Sequence, residues 1–128
     1  MDLKQLQELG GFVPKAPIKR SVKWQPLNED GTPKGDELQF DIFIRKLSFG
    51  SLERLFDDKQ PLDRARMSAY IADAVCIGEG GKQRLSYQQA FELEPTLATA
   101  FMNAVGEVNG VKKEEAKTNG EAEPETKN

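Results

Sequence analysis

In Leu38-Gln39-Phe40-Asp41-Ile42-Phe43-Ile44-Arg45, the apolar residues Leu38, Phe40, Ile42 and Ile44 alternate with Gln39, Asp41 and Arg45. Successive side chains of a strand point to opposite faces of a sheet, so this stretch reads as a strand with one apolar and one polar face. Phe43 breaks the pattern by placing an aromatic on the polar face. Upstream, Val22 and Trp24 alternate with Lys23 and Gln25 until Pro26 stops the run. Between the two runs lies the turn-rich Asn28-Glu29-Asp30-Gly31-Thr32-Pro33-Lys34-Gly35. We expect an antiparallel hairpin with strands near 20–26 and 37–46. Two strands alone are marginal, so helices must cover the apolar face.

Those helices are legible on both sides. Leu3, Leu6 and Leu9 lie three apart before Gly10-Gly11, which reads as two helical turns ended by glycine. A helix this short is marginal in isolation and must dock on something to persist. Phe12-Val13-Pro14-Lys15-Ala16-Pro17-Ile18 then reads as extended. Downstream, Ser48 or Ser51 can cap a short helix carrying Leu52, Leu55 and Phe56. Pro61 suits the first turn of the next helix. There Met67, Tyr70, Ile71, Ala74 and Val75 form an amphipathic stripe that Gly78 should end. Ser86 and Gln89 have the spacing of a capping box, with Ala90 and Phe91 expected inward. Pro95 opens the last helix, whose stripe is Leu97, Ala100, Phe101, Ala104, Val105 and Val108. The expectation is an α+β fold: a small antiparallel β-hairpin packed against four or five short helices. It places one globular domain over 1–108.

Residues 109–128 carry Val111 as their one sizeable aliphatic residue and no aromatic. Such a stretch buries too little apolar surface to offset its ordering entropy, so it is expected to be a disordered, charged tail. The remaining body has 14 positive and 16 negative side chains, which gives no bulk attraction to nucleic acid or anionic lipid. There is no apolar run long enough for a membrane span and no apolar core of a signal peptide near Met1. Cys76 is the only cysteine, so no intrachain disulfide is possible, and a cytoplasmic setting is the natural expectation.

The chain contains no histidine. It therefore lacks an imidazole base, a His-paired nucleophile and a His metal ligand, and one cysteine does not build a thiolate zinc site. Gly78-Glu79-Gly80-Gly81 superficially resembles a phosphate loop, but lacks the Gly-Lys-Ser/Thr ending and reads as a plain loop. Asp57, Asp58 and Asp63 match no calcium-loop spacing and read as solvated carboxylates. Cys76, between Val75 and Ile77, reads as a small buried apolar residue. Lys15, Lys19, Arg20 and Lys23 form a local basic cluster; lysines guarding a strand edge explain it as well as phosphate contact does. Trp24 and Phe43 are candidate binding aromatics, with a core position favoured for Trp24. No catalytic, cofactor-binding or metal-binding residue is expected.

The order of these signals carries a resemblance. Leu6-Gln7-Glu8-Leu9-Gly10-Gly11-Phe12-Val13 is followed by Ile18-Lys19-Arg20, Val22-Lys23-Trp24 and Phe40-Asp41-Ile42-Phe43-Ile44-Arg45-Lys46-Leu47-Ser48-Phe49. Then come Leu85-Ser86-Tyr87-Gln88-Gln89-Ala90, Ala104-Val105-Gly106-Glu107-Val108-Asn109 and a charged tail. Nearly the whole chain resembles the tail assembly chaperones of lambda-like, long-tailed siphophages and their prophages; order and spacing carry the likeness rather than any one motif.

The resemblance implies a protein of tail morphogenesis in the host cytoplasm, absent from the mature virion. It would bind and solubilise the tape measure protein and help recruit subunits of the major tail tube protein. A longer form, made by programmed ribosomal frameshifting near the gene's end, would contact the tube protein. Such a role needs a soluble body, an apolar docking surface and a compliant C-terminus, and no catalytic residue. It involves no cofactor, nucleic acid or membrane, and leaves self-association open. Phe43, Phe49 and Phe56 are the expected client or self-association contacts, each an aromatic near an edge or short helix. Three other readings remain: a small structural virion component (a tail completion or tube protein), a nucleic-acid-binding regulator and, weakest, an enzyme.

Overall fold

The structure is a computed structural model that describes residues 1–59 and 64–110. Its elements are α1 (Leu3–Glu8), β1 (Ile18–Trp24), β2 (Leu38–Ile44), α2 (Phe49–Leu55), α3 (Arg66–Ala74), β3 (Val75–Ile77), a 3₁₀ turn (Glu79–Gly81), β4 (Gln83–Arg84), α4 (Tyr87–Phe91) and α5 (Pro95–Asn109). Pro61 and residues 111–128 of the expected tail lie outside the described residues, whereas Asn109, expected as the tail's first residue, ends α5 and Gly110 caps it.

The α+β class stands, and the central hairpin is present. β1 and β2 pair antiparallel from Ile18↔Ile44 through Arg20↔Ile42 and Val22↔Phe40 to Trp24↔Leu38. β1 begins and ends about two residues earlier than expected. Its start gains the apolar cross-strand pair Ile18–Ile44. Just past its end the Gln25 side-chain Nε2 donates to the Pro26 and Gly35 carbonyls, bracing the loop.

The sheet is larger than a hairpin, with four antiparallel strands in the order β1-β2-β3-β4. The helix expected to run to Gly78 stops at Ala74, and Val75 turns directly into strand. Val75 pairs with Ile44, and Cys76 with Phe43. Val75 and Ile77 are β-branched and favour extended backbone. The carbonyls that α3 leaves unpaired also have partners at hand. The Arg45 N–H donates to the Ala74 carbonyl at 2.7 Å, and its guanidinium to the Asp73 carbonyl at 3.1 Å. Arg84 donates to the Ala72 carbonyl at 3.2 Å. Two guanidinium groups thus meet the negative end of the helix.

β3 also resolves the oddity of Phe43. Phe43 lies on the sheet face away from the core, where the 3₁₀ turn folds over it. Gly81 has φ +70°, and a Cβ there would fall 2.7 Å from Phe43 Cγ. Both the backbone conformation and the close approach require glycine.

On the other face Val22, Ile42, Ile44 and Val75 are buried under Phe101, Ala104 and Val105 of α5 and Tyr70, Ile71 and Ala74 of α3. Ile42, Ile44, Val75 and Val105 are fully enclosed. Burial of each contributes about 1.5–3 kcal/mol. Cys76 is buried and free, as expected, although in a strand rather than at a helix end. Phe91 and Met67, both expected inward, lie exposed.

α5 is fastened along its length. Pro95 occupies its first turn, and the Glu94 carboxylate caps the Thr96 and Leu97 N–H groups. The Trp24 indole donates to Thr96 Oγ1 at 3.0 Å and to Glu94 Oε1 at 3.4 Å, tying this end to β1. Trp24 is therefore a half-buried structural pin. The Thr96 hydroxyl and the N–H groups around it hold the Glu94 carboxyl below the usual range. Further along, Arg20 pairs with Glu107 at 3.5 Å. Asn109 closes the far end: its Oδ1 accepts from the Leu47 N–H at 2.8 Å, and its Nδ2 donates to the Arg45 and Val105 carbonyls. Gly110, with φ +80°, terminates the helix.

Two predictions follow from this core. Asn109→Ala strands the Leu47 N–H and should cost about 1–2 kcal/mol, lowering the melting temperature by several degrees; an unchanged melting temperature would show that the contact contributes nothing. The second concerns Tyr70, whose buried hydroxyl has no hydrogen-bond partner among the described residues. Burial pushes its pKa above the ordinary tyrosine value. A raised folded-state pKa gives stability that is intact below about pH 10 and is lost as pH rises through the folded value. Tyr70→Phe should leave neutral-pH stability unchanged or higher and lessen the alkaline loss, as read by thermal melts across pH. A large fall at neutral pH would mean that the hydroxyl is satisfied.

Candidate interaction surface

The three aromatic candidates do not form one patch. Phe43 is half-buried on the outer face of the sheet beneath Gly81. Phe49 opens α2 immediately after its cap, Ser48, whose hydroxyl accepts from the Ser51 N–H. Among the described residues nothing covers it, and it is 79% exposed. Phe56 sits just past the other end of α2, half-buried, with its ring edge-on to Tyr70 at 5.6 Å. The Arg66 guanidinium lies 5.8 Å from the Phe56 ring centre.

Phe56 also marks one end of an open groove of about 480 Å³ among α3, α4 and α5. Met67, Tyr70, Phe91, Leu93 and Met102 line it, while Ala90, Ala98 and Gly106 keep it broad. No charged side chain lines it among the described residues. Small-molecule sites pair an apolar wall with a few convergent polar groups. This groove offers mainly apolar contact, with two methionines that adapt to varied shapes, which suits a protein segment better than a polar metabolite.

Sequence reasoning missed the groove because periodicity assigned Met67 and Phe91 to inward stripes. α4 has only five residues, Tyr87–Phe91, begun by the Ser86–Gln89 capping box. One turn buries Ala90 and leaves its neighbour Phe91 outside. The signal available in the sequence was that shortness: a single turn does not bury two consecutive residues equally.

Two of the four basic candidates, Lys19 and Arg20, are paired within the fold. Lys19 meets Asp41 across the strands at 3.7 Å, and Arg20 meets Glu107. Arg66 approaches Asp58 at 4.0 Å and donates to the Asp57 carbonyl, while Asp63 lies outside the described residues. Among the described residues no cluster of three or more His, Cys, Asp or Glu is placed to hold a metal ion. No described helix is long and apolar enough to cross a membrane.

Comparison with curated proteins and with solved structures gave no significant match. A family model described as "Phage tail assembly chaperone, TAC" matches residues 4–109. That span runs from α1 through Asn109, the residue that fastens the end of α5. The chain belongs to the phage tail assembly chaperone family.

Proposed function

We propose that this chaperone binds the tape measure protein during tail morphogenesis, keeps its amphipathic helices soluble and helps to recruit tail tube subunits, without chemical turnover. Many copies would shield the apolar faces of one extended client. A longer frameshifted form would contact the tube protein through its added C-terminal extension. The chain would act in the host cytoplasm and be absent from the mature virion.

The observation that carries this reading is the family match across 4–109, on a body that exposes apolar side chains such as Phe49 and Phe91. Phe49 is the most accessible of the three proposed contacts; it can anchor a partner with little cost to the fold, whereas Phe43 and Phe56 also pack internally. An exposed aromatic anchor that seats in a partner typically contributes more than 1 kcal/mol to affinity.

Co-expression with the tape measure protein should yield a co-purifying complex. Phe49→Ala should weaken it about tenfold at unchanged melting temperature. Phe43→Ala and Phe56→Ala, scored with a circular-dichroism control for folding, complete the set. Full binding in all three would discard these contacts. Detection of the chain in purified virions would instead favour a structural tail component.

A further inference from the structure

The first sixteen residues of the chain are all exposed, yet α1 within them is carefully built. Asp2 and Gln5 form a reciprocal capping box. At the other end the Gly11 N–H bonds the Leu6 carbonyl and the Gly10 N–H the Gln7 carbonyl, the Schellman pattern, with Gly10 at φ +86°. Leu6 lies over Gly11 so closely that a Cβ there would fall 2.7 Å from Leu6 Cγ. Leu3, Leu9 and Phe12 are nevertheless 66%, 71% and 55% exposed. A six-residue helix does not persist in water on propensity alone. It has satisfied ends, an apolar stripe and no cover among the described residues.

The same chain carries a groove with the opposite need. We propose that α1 of one copy seats in the α3–α4–α5 groove of a second copy, and that two copies exchange their helices reciprocally. Three observations select this occupant. The apolar stripe of α1 matches a groove lined by no charged side chain among the described residues, so no charge is desolvated there. The connector to β1 contains Pro14 and Pro17, which stiffen it and hold α1 off its own body. Area decides between one contact and two. Taking about 90 Å² of apolar surface for each aliphatic side chain and about 200 Å² for a phenylalanine, the exposed fractions of Met1, Leu3, Leu6, Leu9 and Phe12 amount to roughly 350 Å². With a similar area on the groove, one contact buries roughly 700 Å², below the ~1,200 Å² that stable interfaces need, and two reach it. The capped helix is ordered in advance, so less freedom is lost on docking. The inference concerns copies of this chain alone and does not rest on the identity of the client.

The test uses the purified full chain without client. Light scattering after size exclusion should give about twice the 14.3 kDa chain mass at high micromolar concentration, falling towards one chain on dilution. Leu6→Ser in the arm and Phe91→Ser at the groove should each weaken the dimer about tenfold or more, with the melting temperature of the dilute monomer unchanged. A single-chain mass at every concentration would overturn the proposal. So would a dimer indifferent to both substitutions. Monomers whose α1 amides resist exchange would show the helix seated in its own groove, and would overturn it equally.

Discussion

The structure depends on one helix covering one sheet face. β1 and β2 present Val22, Ile42 and Ile44 to one side, and without cover that face would remain in water. α5 lies across it and is held at both ends by polar contacts that fix its position along β1. Trp24 meets Glu94 and Thr96 at one end; Arg20 meets Glu107, and Asn109 meets the Arg45–Leu47 segment, at the other. The ion pair is solvent-exposed and adds little by itself. Apolar burial supplies most of the energy, and the polar contacts choose the register in which it is collected. With α5 in place, α3 has a surface to pack against, and its abrupt change into β3 extends the sheet behind Phe43.

Much of this was legible in the residues. Alternation from Leu38 to Ile44 showed the strand, Ser86 and Gln89 showed the start of α4, and Pro95 the start of α5. What escaped was short or non-local. β3 and β4 have three and two residues, too few for a period to appear, and Val75 continued the helical spacing of α3. The two arginines that end α3 come from Arg45 and Arg84, far apart in sequence. Phe43 looked misplaced because the turn that covers it lies almost forty residues downstream.

The candidate surfaces were less legible than the fold. A stripe reveals which residues are apolar, not which copy of the chain or which partner covers them. Leu3, Leu6 and Leu9 read as a helix in need of a dock, and that need is unmet among the described residues. Met67 and Phe91 carry the periodicity of buried residues yet form the rim of the groove. Such mismatches between apolar pattern and exposure are where an assembly protein differs from a self-contained globule. They agree with the family to which residues 4–109 belong.

The central claim is that α5 and the sheet form one cooperative unit, complete without a ligand. Native-state amide hydrogen exchange of the dilute chain tests it most directly. If the claim holds, amides of β1, β2, α3 and α5 exchange through a single global opening, with the same free energy and the same denaturant dependence. Low-energy opening of α5 while the strands stay protected would contradict it.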